Sequence, residues 1–366
     1  MRLTRILPLA LLALVFACGQ GWAFHDGGVA DCGGCHTMHN SQDGAQVANV
    51  PEGNPYLLID GNASDVCLRC HAEYGQFLGG EGYGPGGDFY WLTKTYTWSS
   101  HGHDYSSPGD AHGHNVVSPA YALTADGTLT DAPGGDFLSE RLTCTSCHDP
   151  HGNASFRILY GTAIGPIYDG IRYDFTEPAP EAVGNSRRTY LGEGNETDAQ
   201  HTVYKSGMSE WCSNCHTDFH SDNTNNFVHP TGENLGSVVA GIYNSYVSSD
   251  NPTGGSQVTA YNGLVPFEDV DVDLETVDPT NYTAGPVGTD QVMCLTCHRA
   301  HASPFMDIGR WDFEETFMAE SHPAAGDGGL GADDLTHKWY SYVLSPNQRS
   351  LCNKCHVKDL GDAPLE

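Results

Sequence analysis

Cys32-Gly33-Gly34-Cys35-His36-Thr37-Met38-His39 decides how the rest of the chain reads. It offers two thiols three positions apart, a histidine directly after the second, and another histidine three residues on. Two cysteines at that spacing can form thioethers to the two vinyl groups along one porphyrin edge. The histidine that follows is then held beneath the iron as its proximal ligand. The stretch therefore reads as a covalent haem site.

The same five-residue pattern returns five times: Cys67, Cys70 and His71; Cys144, Cys147 and His148; Cys212, Cys215 and His216; Cys294, Cys297 and His298; Cys352, Cys355 and His356. A zinc knuckle, a redox dithiol or a disulfide would also use a Cys-x-x-Cys pair. None of them calls for the histidine that follows six times in six, in a chain where about one residue in nineteen is histidine. Paired zinc ribbons would also leave roughly 15 to 20 residues between their pairs, and the gaps here are far longer. Six haem c groups, each with its iron, are the expected cofactors.

The first residues read as an export signal: Met1-Arg2-Leu3-Thr4-Arg5, an apolar run from Ile6 to Phe16, then small residues to Gly21-Trp22-Ala23. Cutting after Ala23 leaves residues 24–366 as a single elongated hexahaem module and removes the thirteenth cysteine, Cys18. A rival is lipoprotein processing at Cys18, since Val15-Phe16-Ala17-Cys18 partly matches a lipobox, although Phe16 is bulky for that place. No other stretch is long or apolar enough to span a bilayer. The expected location is the extracellular space or outer cell surface, with the periplasm as the alternative.

Composition fits an interior built on cofactors. Hydrophobic residues are 39 %, below the ~45–50 % of ordinary domains, while the chain holds 44 Gly and 20 Pro. Porphyrin faces would supply the missing apolar area. Disorder is the other reading of such a chain, and 37 aromatic residues with six anchor motifs argue against it. The formal charge of −30 becomes −32 once Arg2 and Arg5 leave with the signal. A polyanion of this kind does not seek nucleic acid. It can steer cationic partners, metal ions or positively charged mineral surfaces towards itself, although plain solubility accounts for the charge equally well.

The fold class expected is a multihaem cytochrome c, mostly loops and turns with a few short helices and minimal strand, wrapped around a linear haem chain. Gly, Pro, Asn and Asp recur every few residues and mark turns. Short helices are expected from Ser209 as N-cap into Cys212 and over Asp312 to Met318. Val270-Asp271-Val272-Asp273-Leu274 alternates like a half-exposed strand; its carboxylates suit a solvated face better than a calcium site, lacking the EF-hand glycine and glutamate.

Six proximal histidines leave thirteen of nineteen for other work. His39, His151 and His301 each stand three residues after a proximal histidine, and His220 stands four after His216. A few residues reach only about 10 Å, too short to pass round a porphyrin edge, so each is expected on the iron of a neighbouring haem. His229, His114 and His25 complete seven distal candidates for six places. His101, His103 and His112 form His-Gly-His pairs with His114 that could bind a transition metal, although an exposed polar loop is the commoner explanation, and His201, His322 and His337 read as surface or hydrogen-bonding residues.

Stretches beyond the haem motifs carry a resemblance. Phe24-His25, Gly27-Gly28-Val29, Lys94-Thr95-Tyr96-Thr97-Trp98, Cys147-His148-Asp149-Pro150-His151-Gly152, Gly207-Met208-Ser209-Glu210-Trp211-Cys212, Ile242-Tyr243-Asn244-Ser245-Tyr246, Cys297-His298-Arg299-Ala300-His301-Ala302-Ser303 and Leu351-Cys352-Asn353-Lys354-Cys355-His356 resemble the OmcS-type hexahaem outer-surface cytochromes of metal-reducing bacteria, which polymerise into extracellular nanowires. The likeness covers essentially the whole mature chain, except the segment after His71 and residues 157–206. It implies bis-histidine haems in alternating stacked and T-shaped pairs. It further implies a head-to-tail homopolymer in which His39 serves, in trans, the haem of His298 in a neighbouring copy. Other cytochromes would be the electron donors, and metal oxides or other extracellular partners the acceptors.

Electron transfer without catalysis is the expected function. A multihaem oxidoreductase would need an iron with an open position, and all six motifs end in histidine with enough spare histidines to close every iron. A monomeric periplasmic shuttle would carry the same haems without forming filaments. A purely adhesive fibre would have no use for six iron sites.

Overall fold

A computed structural model describes residues 32–42, 45–46, 48, 53–71, 86–184, 196–220, 229–331, 334–339 and 342–356. Loops dominate, because turn-forming residues interrupt every run before a long helix or strand can grow. Among the described residues the α-helices are α1 (Cys32–Cys35), α2 (Ala63–His71), α3 (Met208–Cys212), α4 (Gly236–Ser245) and α5 (Cys294–Cys297). All but α4 carry part or all of a Cys-x-x-Cys-His motif. The other two motifs begin in 3-10 turns at Cys144–Ser146 and Leu351–Lys354.

Among the described residues strands come only as antiparallel pairs: β1 (Ser41–Gln42) with β2 (Ala45–Gln46), β3 (Tyr96–Ser100) with β4 (His103–Ser107), β5 (Ile167–Tyr168) with β6 (Ile171–Arg172), and β7 (Glu181–Val183) with β8 (Val203–Ser206). The β3–β4 hairpin sets Ser100 opposite His103. His101 and Gly102 turn it with φ of +51° and +81°, both positive as a tight type I′ turn demands.

Three local expectations are corrected. The helix before Cys212 begins at Met208 behind a left-handed Gly207; Ser209 does not cap it, and its Oγ instead accepts the Cys294 N–H at 3.0 Å. Residues 312–317 form no helix, and only a 3-10 turn at Met318–Glu320 follows. Residues 270–274 are turns rather than a strand. Their acids close those turns, Asp269 accepting from the Asp271 N–H and Asp273 from Glu275 N–H and Thr276 Oγ.

The apolar interior is split into small clusters, each against an attachment motif. Leu68, which stands inside the Cys67 motif, packs with Phe89, Val116 and Leu123. Tyr204, Met208, Met293 and Leu295 meet Cys212. Tyr243, Tyr261, Leu264, Phe267, Trp311, Met318 and Leu351 lie against Cys297, Cys352 and Cys355. A chain of this length ordinarily grows one large core. Clusters divided among the motifs suit an interior completed by prosthetic groups. No helix among the described residues is long and apolar enough to cross a membrane.

Candidate functional site

Each motif winds through one helical turn. The histidine N–H donates to the carbonyl of the first cysteine, His36 to Cys32 at 2.8 Å, His148 to Cys144 at 3.2 Å, His216 to Cys212 at 3.0 Å, His298 to Cys294 at 3.0 Å and His356 to Cys352 at 2.9 Å. In such a turn residues i and i+3 share a face, so both thiols of a motif lie on one side.

Four of the proximal rings are then held by their inner nitrogen. Nδ1 of His36 lies 3.0 Å from the Tyr56 carbonyl, that of His148 2.9 Å from Arg157, that of His216 2.8 Å from Pro133 and that of His298 2.7 Å from Asp307. A carbonyl only accepts, so Nδ1 carries the proton and Nε2 keeps the lone pair a metal would take. Burial lowers the pKa of His148, His216 and His298, which favours the neutral ring that a metal requires.

Two of these clamps are structural copies. After His148 and after His298 the chain returns nine residues later to offer the carbonyl. His148 bridges Leu159 and His298 bridges Gly309 in antiparallel fashion. The carbonyls are turned inward by successive left-handed residues, Arg157 and Ile158 at φ +47° and +54°, Asp307 and Ile308 at +56° and +57°. A β-branched residue rarely adopts that conformation, so Ile158 and Ile308 carry strain where the imidazole is held.

The structure brings four proximal rings against four of the distal candidates. Ring centres are 6.3 Å apart for His36 and His151, 6.4 Å for His148 and His301, 5.9 Å for His114 and His216, and 6.2 Å for His229 and His356. Imidazoles on opposite sides of one metal ion have centres about 6 Å apart, from about 2 Å of metal–nitrogen bond and about 1 Å from nitrogen to ring centre on each side. The residues present therefore fit an iron porphyrin between each pair. His114 and His301 are set back to back by one small ladder, His114 N–H donating to the His301 carbonyl at 2.8 Å and Nδ1 of His114 lying 2.7 Å from the Ala300 carbonyl. Burial pushes His114 down to about 4 and His301 to about 3.

The remaining histidines divide. His39 is exposed, and the ring of His298 meets Phe313 edge-on at 5.5 Å. His220 faces Thr231 Oγ1 at 3.2 Å and Glu210 at 3.7 Å. His25 lies outside the described residues, as do residues 1–23 with Cys18. His101 and His103 are exposed on the β3–β4 hairpin. His112, expected in an exposed loop, is instead fully buried, with Nδ1 3.0 Å from the Trp91 carbonyl, Nε2 2.8 Å from Ser107 Oγ and its ring stacked on Tyr96. His201 is buried against Tyr261 with ring centres 3.5 Å apart, and His322 stacks on Trp98 and meets Asp327 at 2.7 Å.

All twelve motif cysteines are unbridged. Among the described residues no three His, Cys, Asp or Glu side chains converge as a zinc site needs. Motifs also meet one another. Cys67 lies beside Cys144, and Cys212 beside Cys294. In both junctions the serine three residues before the first cysteine accepts an N–H from the opposite motif, Ser64 from Cys144 at 3.1 Å and Ser209 from Cys294 at 3.0 Å. These serines and the clamping carbonyls escape sequence reading: backbone acceptors leave no residue signature, and the one available signal was the shared Ser-acid-x-Cys pattern at 64–67 and 209–212.

Comparison with known proteins closes the question of kinship. No family model matches the chain. It is 37 % identical to the C-type cytochrome OmcS of Geobacter sulfurreducens over 96 % of this chain and 98 % of that protein. The chain belongs to the OmcS family of c-type cytochromes. The same fold appears in two solved structures, the Outer Membrane Cytochrome S filament of Geobacter sulfurreducens, with a TM-score of 0.77 and 34 % identity, and the OmcS nanowires from that organism, with 0.75 and 35 %. Each match covers 92 % of this chain and 100 % of the other. The loop-built fold is thus an OmcS fold, and haem c is the cofactor that a c-type cytochrome carries.

Proposed function

We propose that this chain carries six haem c groups, each closed by imidazole on both faces, and conducts electrons along them as one unit of an extracellular filament. The observation that supports it most is the recurrence of one proximal and one distal ring at 5.9–6.4 Å in four places. The bound iron supplies a one-electron step between ferric and ferrous states. The chain's own residues set the spacing, exclude open coordination positions and tune the potential through burial and nearby charge.

In this reading His151 completes the site of His36, His301 that of His148, His114 that of His216 and His229 that of His356. His39 of a neighbouring copy completes His298, which leaves His25 for His71 and His220 with no iron. Residues 1–23 are the signal, and 24–366 form a single elongated module. With every iron closed on both sides, the protein is an electron carrier rather than an enzyme. Other cytochromes would deliver electrons, and metal oxides or other extracellular acceptors would receive them.

The test is mass spectrometry and microscopy of the secreted protein. Six haem additions and thin filaments are expected, with filaments lost or shortened in a His39→Ala protein that keeps its haems. Hexahaem monomers with no filaments would favour a periplasmic shuttle, and a high-spin signal in the oxidised wild type would reopen the enzymatic reading.

A further inference from the structure

Two attachment motifs far apart in sequence meet at each of two junctions, Cys67 beside Cys144 and Cys212 beside Cys294. The first N–H groups of a helical turn find no acceptor within that turn. In the second motif of each junction two such donors are disposed of in the same way. The earlier one is taken inside the motif, Thr143 N–H by Ser146 Oγ at 2.8 Å and Met293 N–H by Thr296 Oγ at 3.1 Å. The next one crosses to the partner motif, Cys144 N–H to Ser64 Oγ at 3.1 Å over 80 positions of sequence and Cys294 N–H to Ser209 Oγ at 3.0 Å over 85. Each serine caps its neighbour's turn much as an N-cap residue caps its own.

Both serines are fully buried, where a hydroxyl is costly unless it is bonded. A serine stands three residues before the first cysteine in these two motifs alone; the other four have Val29, Arg141, Gln291 and Arg349 at that place. The acid that follows the serine in both motifs has no common role. Asp65 is buried and accepts from Ser118 Oγ at 2.6 Å and from the Ala120 N–H at 3.1 Å, whereas Glu210 is half-buried and faces His220 at 3.7 Å. What the two junctions share is the hydroxyl that ties one motif to the other.

The donor of this bond is the backbone of an attachment cysteine, and its acceptor sits one helical turn before another, on α2 with Cys67 and on α3 with Cys212. The bond therefore fixes the distance between two anchors rather than the shape of either motif. Electron exchange between two prosthetic groups weakens steeply as the gap between them widens, and the protein's share in it is to hold that gap. We propose that Ser64 and Ser209 are positioning residues for electron transfer, each locking two motifs together so that the haems attached at Cys67 and Cys144, and those attached at Cys212 and Cys294, stand as two matched couples. The inference rests on the hexahaem reading above.

The test is circular dichroism in the Soret region of the full-length hexahaem protein, where closely spaced haems give a two-signed band whose amplitude falls as they separate. Ser64→Ala and Ser209→Ala each lower that amplitude with six haems retained, and the double variant loses the sum. Ser118→Ala removes a hydroxyl equally buried beside the first junction, whose bond to Asp65 ties no motif to another, and it leaves the band unchanged. An unmoved or stronger band in either Ser64→Ala or Ser209→Ala, or an equal loss in Ser118→Ala, would overturn the inference. Hydrogen exchange of the wild type needs no variant to fold: slow exchange is expected at the Cys144 and Cys294 amides, and fast exchange at either would also overturn it. Wild-type protein with fewer than six haems would overturn the hexahaem reading and this inference with it, whereas six haems with an unmoved band in the serine variants would overturn the inference alone.

Discussion

The loops after His148 and His298 share their spacing and their clamp, yet they deliver their second histidines into opposite surroundings. His151 leaves its loop with a side chain 80 % exposed and lies parallel to His36, at 8° between ring planes. His301 leaves an equivalent loop into the interior, stacked on Phe89 at 4.7 Å and covered by Gly86, where a Cβ would stand 2.6 Å from its ring. Local geometry aims a distal histidine, and whatever the rest of the chain packs around it decides how firmly it is held.

The sharpest way to break this comparison is to remove each ring. His301→Ala is expected to convert one haem to a high-spin species by electron paramagnetic resonance and to cost about 2–4 kcal/mol in denaturant unfolding, since it empties an enclosed site. His151→Ala should give the same spectral change at a cost of about 0.5 kcal/mol, as exposed positions usually do. Equal losses of stability in the two variants would mean that enclosure does not distinguish the sites.

Smaller effects sharpen it further. Gly86→Ala should displace the His301 ring and produce a partial high-spin signal while leaving the His36–His151 site unchanged in the same spectrum. Acid should also separate the loops. His301 has its folded pKa lowered to about 3, so between that value and the unfolded histidine value of about 6.5 the unfolded chain binds the extra proton. Stability is unaffected by this group above that window and falls as pH is lowered through it. Unfolding midpoints measured from pH 7 to pH 4 should therefore decline less steeply in His301→Ala than in the wild type.

The least change is expected from Ile158→Gly and Ile308→Gly. Each relieves about 1 kcal/mol of left-handed strain and gives up a half-buried side chain. The net result should lie within about 1 kcal/mol of zero and be the same in both loops. Unequal values from thermal melts would show that the two clamps are not copies in energy as they are in shape.

The attachment pattern belongs to the sequence alone. Cys-x-x-Cys-His is a local device: thioether spacing and the proximal ring need only one turn of backbone, so twelve cysteines and six histidines are legible without a fold. The scarcity of long elements was legible for the same reason, because glycine, proline, asparagine and aspartate act within a few residues. Which rings face one another was not. His151 meets His36 from 115 positions away, His301 meets His148 from 153, and His114 meets His216 from 102, and nothing in a spacing of three residues says which ring lies opposite. His112 and His114 stand two residues apart with similar neighbours, yet one is a buried hydrogen-bonding ring against Tyr96 and the other faces His216. That choice is made by segments far apart in sequence, which close around each ring and fix both its partner and its burial.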